Sequence, residues 1–291
     1  MIVHKQTGYV KSFDGTSIYY ETRGSGPAIV MAYGIVCTMN HWRHQTKYFS
    51  ENYKTVLIDY RGHHNSGTPN DRDHLSFDGI AQDFKAVMDH LEIPTASFWG
   101  HSFGVQALIR MYDMFPQYFE NLVFINGFAN NPIKGMFGVD FAASTFKLLK
   151  QSYDQLPETL SYFWKAIAAS SISMKLSALA GGFNLNLTSF KDIEIYARGV
   201  AGVDLDVFLQ LMDQMMSYDG RPVLERIAVP TLIVSGSADT VTPKKYQEYI
   251  HKKIKGSEFV MIPYGSHCTQ LDLPDYVNLR IERFLKDHPP K

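Results

Sequence analysis

Four short apolar runs, "AIVMAYG", "YKTVLIDYRG", "TASFWG" and "NLVFINGF", recur along the first 128 residues, and the segments between them constrain the fold more than any other feature. Such runs fit strands buried on both faces. Between them lie segments of helical period. In "SFDGIAQDFKAVMDHLEI" the spacing sets Ile80, Phe84, Val87, Met88 and Leu91 on one face. Buried strands joined by helical crossovers imply a parallel sheet covered on both sides. Upstream, "YVKSFD" and "SIYYETRG" alternate around Asp14-Gly15, a hairpin signal.

The strand pattern then stops. From about Ala129 to Asp219 the sequence offers only helical segments: "FAASTFKLLKQ", "ETLSYFWKAIAAS", "DIEIYARGVAG" and "DLDVFLQLMDQMM". Strands resume at "VPTLIVSGSAD" and "SEFVMIP", each followed by a helix. The expected fold is therefore α/β, with a mostly parallel doubly wound sheet of about eight strands. Residues 1–128 and 221–291 form its core, and residues 129–220 form an inserted helical cap. Neither an internal repeat nor a low-complexity segment interrupts this plan.

Bulk properties narrow the partners. In 291 residues, 28 basic and 29 acidic side chains leave a formal net charge of -1, which argues against nucleic acid or an anionic membrane as the main partner. No run approaches the 18 or so uninterrupted apolar residues of a spanning helix. The start, "MIVHKQTGYVKSFDG", lacks the apolar stretch of a signal peptide. Cys37 and Cys268 are the two cysteines, too few for a disulfide framework. A cytoplasmic protein, monomer or homodimer, is expected.

The third run leads into the chemistry. "TASFWGHSFGVQALIRMY" passes from strand through Gly-His-Ser-Phe-Gly into helix formers. Chance alone supplies a G-x-S-x-G about 0.1 times in a chain of this length. The strand before and the helix after are what a nucleophile elbow requires. Ser102 is then the candidate nucleophile, with Gly100 and Gly104 relieving the crowding of a strained turn. A serine hydroxyl needs a base, and the base needs an orienting acid. Asp239 directly follows one late strand and His267 lies in the loop after the last, in the order expected after an elbow. The alternative acid position, after "LVFI", is Asn126, which carries no charge.

Together these segments resemble the α/β-hydrolase fold with a helical cap, over nearly the whole chain. "GPAIVMAYG" is similar to the family's third strand, with Tyr33 where a His is usual. "VLIDYRGHHNSGTP" resembles its D-x-R-G-x-G-x-S loop, with His64 where a Gly is common. "GHSFGV" resembles the elbow, with Val105 where a further Gly is frequent. "SGSADTVTP" and "GSHC" resemble the acid and histidine segments. The resemblance implies an oxyanion hole made by the backbone N–H groups of Ile35 and Phe103.

The expected function is a serine hydrolase that cleaves a small, largely apolar ester or related acyl compound, with catalytic Ser102, Asp239 and His267. Neither a cofactor nor a metal is expected. His63 and His64 are adjacent on a loop and lack companions at ligand spacing. His101 inside the elbow reads as structural, packed by the next strand. The segment "SYFWKAIAAS" is apolar enough to line a pocket. Two other readings use the same residues: a ligand receptor with slow or no turnover, and a carbon–carbon bond hydrolase.

Overall fold

The computed structural model describes residues 5–133, 141–168, 170 and 182–291. Eight strands form one sheet: β1 Lys5–Lys11, β2 Ser17–Arg23, β3 Ala28–Ala32, β4 Lys54–Ile58, β5 Ala96–His101, β6 Phe119–Ile125, β7 Thr231–Gly236 and β8 Glu258–Ile262. Their order is β1-β2-β4-β3-β5-β6-β7-β8. β1 and β2 form the antiparallel hairpin, which joins β4 antiparallel, and all pairs from β4 onward are parallel. Strands buried on both faces need apolar side chains in both directions. β3, β5 and β7 meet this, with every residue buried.

The helices that cover the sheet are α1 Arg43–Phe49, α2 Phe77–His90 and α3 Phe103–Met114 in the first half, and α8 to α11 (Arg221–Leu224, Lys245–Lys253, Thr269–Asp272 and Pro274–Asp287) in the second. The α2 stripe is the expected one, with Ile80, Phe84, Val87 and Met88 buried. Ser76 caps this helix by accepting from Gly79 N–H. Leu91 falls one residue past the helix end and is only partly buried. The segment before α1 begins as a tight turn of 3-10 helix, Met39–Trp42. Trp42 and Phe49 each pack against Trp99. Burying each such aromatic contributes roughly 1.5–3 kcal/mol.

Between β6 and β7 the described elements are helical: α4 Phe141–Gln155, α5 Pro157–Ala168, α6 Phe190–Ala201 and α7 Leu205–Ser217. Among the described residues no helix is long and apolar enough to cross a membrane.

The strand order turns back on itself between β3 and β5. β4 lies on one side of β3 and β5 on the other, so loops leaving their C-terminal ends diverge and open a crevice. The loop after β3 and the turn after β5 border that crevice.

Candidate active site

Ser102 stands between β5 and α3 with φ 54° and ψ -120°. A non-glycine residue held there costs on the order of 1–3 kcal/mol and persists because its surroundings fix it. Its N–H donates to Ile125 O at 3.1 Å and its carbonyl accepts from Val105 N–H at 2.9 Å. The glycines admit neighbouring chain rather than the serine itself. A Cβ on Gly104 would lie 2.3 Å from Ala32 O of β3, and one on Gly100 would lie 3.0 Å from Gly104 O. α3 starts at Phe103, two residues before the Val105 that helix propensity suggests, because the turn hands straight into it.

Two loops bring the partners. Asp239 follows β7 in a turn where its Oδ1 accepts from the N–H groups of Val241 (2.9 Å) and Thr242 (2.8 Å). Those bonds aim Oδ2 at His267, whose Nδ1 lies 3.0 Å away. The Nε2 of His267 lies 3.0 Å from Ser102 Oγ. A carboxylate only accepts, so Nδ1–H donates to Asp239 and Nε2 is left to accept the serine proton. All three side chains are buried. Such a chain can take a proton from a hydroxyl and stabilise the charge that results.

The loop after β3 turns at Gly34–Cys37, closed by Cys37 N–H on Gly34 O at 3.1 Å. Val36 in this turn has φ 54°, a costly conformation for a β-branched side chain. Neither Ile35 N–H nor Phe103 N–H donates to a protein acceptor among the described residues. Tyr33 turns away from the crevice. Its hydroxyl donates to Asp59 Oδ1 at 3.1 Å and accepts from Tyr60 N–H at 3.2 Å. Burial first, and then the Asp59 charge, raise its pKa well above the ordinary phenol value. His64, left-handed at φ 46°, reaches back so that its Nε2–H donates to Cys37 O at 2.7 Å and ties the turn down. His63 points instead into the core, and burial lowers its pKa to about 3. The adjacent histidines thus diverge.

His101 pairs with Ile125 of the next strand, and its ring packs against the His267 loop and His41. Its Nε2–H donates to His267 O at 2.8 Å, and its ring stacks on His41 at 4.6 Å. Burial, with the neighbouring imidazoles, holds its pKa well below the usual histidine value. Burial and then His267 depress that of His41 to about 3. His41, His101 and Cys268 are the one group of ligand-type atoms close enough to suggest an ion among the described residues. The two imidazoles stack with their planes at only 26°, an aromatic contact that by itself accounts for their closeness. Cys37 and Cys268 are free thiols on the cavity wall. Burial raises both above the ordinary thiol range.

Ser102 opens into a cavity of about 320 Å³. Ile35, Ser102 and His267 line it from the sheet side, and Trp164, Tyr196 and Phe208 from the inserted helices. No lysine, arginine, aspartate or glutamate is among the described lining residues. Of "SYFW", only Trp164 turns inward, stacking on Phe208 at 5.0 Å, while Tyr162 and Phe163 face outward. Sequence reasoning missed Thr242, whose hydroxyl lies 2.7 Å from Asp239 Oδ2 and 3.1 Å from His267 Nδ1. Its position three residues after the aspartate, where a turn-forming Asp bonds forward, was the available signal.

The sequence pattern of the alpha/beta hydrolase fold matches residues 27–274. The chain belongs to the alpha/beta hydrolase fold family. This α/β-hydrolase is 23% identical over 272 residues to 3-oxoadipate enol-lactonase 2 of Acinetobacter baylyi, covering 93% of each chain. It is 24% identical over 260 residues to karrikin insensitive 2 receptor IA of Petunia hybrida, covering 87% of this chain and 88% of that one. Among solved structures, an esterase from Exiguobacterium antarcticum superposes with a TM-score of 0.76 at 20% identity, over 96% of this chain and 98% of that one.

Proposed function

We propose that this α/β-hydrolase cleaves a compact, neutral, largely apolar carboxylic ester or related acyl compound through an acyl-enzyme on Ser102. One observation carries the reading: the unbroken run of 3.0 Å bonds from Asp239 through His267 to Ser102, ending at the floor of an apolar cavity. His267 takes the proton as Ser102 Oγ attacks the carbonyl carbon. The N–H groups of Ile35 and Phe103 stabilise the tetrahedral oxyanion, each by roughly 3 kcal/mol. Asp239 holds the imidazole tautomer and balances its charge. The carbon–oxygen bond to the leaving group breaks and the alcohol departs with the proton from His267. Water, activated by the same histidine, then repeats the attack and frees the acid. The residues suffice for this chemistry without a cofactor.

Residues 129–220 act as a cap whose helices roof the cavity and set substrate size. The described lining carries no cation to meet a carboxylate, which favours neutral substrates. The relative named as a receptor keeps a second reading in view, binding with slow turnover. Labelling with a fluorophosphonate, followed by steady-state turnover of p-nitrophenyl butyrate, tests both. Labelling that disappears in Ser102→Ala together with many turnovers per protein is the expected result. An unlabelled wild type, or labelling that survives the substitution, refutes the nucleophile. Labelling with a single turnover favours the receptor.

A further inference from the structure

Asn126, which the sequence presents only as a failed acid, is a hydrogen-bonded junction beside the acid–base–nucleophile chain. It directly follows β6, is fully buried, and has φ 47°, a conformation asparagine adopts more readily than most residues. Its side-chain Nδ2 faces Ser266 O (2.9 Å), His267 O (2.7 Å) and Thr269 Oγ1 (2.9 Å). Its Oδ1 accepts from Gly236 N–H at the end of β7 (2.8 Å). Its own N–H donates to Val234 O (2.9 Å), and its carbonyl accepts from Thr242 Oγ1 (2.9 Å). One residue therefore joins the end of the acid strand, the acid loop and the histidine loop.

The chemistry at this position admits one functional group. Gly236 N–H can only donate, and the carbonyls of Ser266 and His267 can only accept. An amide, with an acceptor on one side and two hydrogens on the other, satisfies both. A carboxylate satisfies the first and sets its second oxygen against two carbonyl oxygens in a site cut off from water. We propose that Asn126 is a positioning residue for catalysis: its amide clamps the His267 main chain to the acid strand, so that the imidazole reaches Asp239 and Ser102 at once. His101 assists from the elbow, its Nε2–H donating to the same His267 carbonyl at 2.8 Å. The nucleophile's strand and the chain just past β6 thus meet the base's loop at one carbonyl oxygen, and the same Asn126 amide reaches the acid's strand through Gly236.

This clamp rests on the hydrolytic reading above, and Asn126→Asp tests the two separately. The substitution conserves shape but makes the fit depend on a proton. Burial and the facing carbonyls hold the introduced carboxyl above the ordinary carboxylate range, and the nearby titratable groups are Asp239, His267 and His101. When protonated it donates to one of the two carbonyls, and when ionised it repels both. With p-nitrophenyl butyrate, kcat of N126D should fall about 100-fold at pH 8, the loss expected of a roughly 1 Å misplacement, while KM changes little. The variant-to-wild-type ratio should then rise towards acid, whereas Asn126→Ala should give a ratio independent of pH. The ratio cancels the pH dependence that both proteins share.

A flat N126D ratio in an active wild type overturns the clamp alone. A wild type that neither turns over nor takes up the fluorophosphonate overturns the hydrolytic reading, and the clamp with it. If N126D does not fold, the wild-type side-chain amide decides by proton exchange in nitrogen-15 spectra. Its two hydrogens should exchange far more slowly than those of an exposed asparagine, and fast exchange overturns the clamp.

Discussion

Replacing Gly104 by alanine asks one methyl group to enter the tightest point of the elbow. The new carbon would lie 2.3 Å from Ala32 O, 2.7 Å from Ala32 C and 2.8 Å from Tyr33 O, where ordinary contact begins near 3.4 Å. All three are backbone atoms of β3 and the start of its loop, so no side chain can swing aside. Relief requires α3 and β3 to part by about 1 Å. That displacement carries Phe103 N–H, at the first turn of α3, away from the loop that holds Ile35. Overpacking of this kind costs about 1–3 kcal/mol of stability. A misplacement near 1 Å costs about 100-fold in rate. Gly100→Ala is the control, because its carbon would meet Gly104 O and Val105 N at 3.0 Å and needs only a few tenths of an ångström. We expect G104A to lose about 100-fold in kcat/KM for p-nitrophenyl butyrate and several degrees of melting temperature. G100A should lose much less of both. Equal effects, or a G104A with wild-type rate and melting temperature, would show that β3 and α3 do not meet as described.

Acid should destabilise the fold through its buried histidines. His41 and His63 are lowered from 6.5 to about 3 in the folded protein, so between those values the unfolded chain binds protons that the native one refuses. Stability is then full above about pH 6.5 and falls as pH drops towards 3, by up to roughly 1.4 kcal/mol per pH unit for each such group. Denaturant titrations from pH 7 to 4 measure the slope, which His63→Gln should reduce by one proton. A slope unchanged by that variant would contradict the burial of a neutral His63. Trp164→Ala should enlarge the cavity roof and raise the preference for p-nitrophenyl octanoate over the butyrate by about 10-fold, the worth of a few methylene contacts. An unchanged ratio would place the acyl chain elsewhere.

Much of this frame was legible because it rests on local signals. The apolar runs of β3, β5 and β7 announce burial on both faces, and Ser102 is marked by the strand and helix on either side of it. Asp239 and His267 are marked by their places just beyond strands. What the sequence could not carry is contact between distant segments. His64 fastens a turn 27 residues away, and Asn126 binds a loop more than 100 residues on. No periodicity encodes such pairs. The inserted helices were legible as helices but not by the direction they face, since neighbours on a helix are 100° apart and only packing selects the inner one. Hence Trp164 turns in beside Phe208 while Tyr162 and Phe163, next to it in sequence, remain outside.

The hydrogen bond from Ser102 to His267 spans 165 residues, and that distance has a kinetic consequence. The two meet only after β5, β6, β7 and β8 have paired side by side, with the chain between β6 and β7 already looped out. Contacts so far apart in sequence form late, because chain closure must be met before they contribute. During refolding, the aromatic cluster of Trp42, Phe49 and Trp99, drawn from within the first 100 residues, can bury itself while the serine is still inert. On the proposed reading, reactivity at Ser102 would report the finished sheet, and a chain stalled one strand short would be compact but without the base.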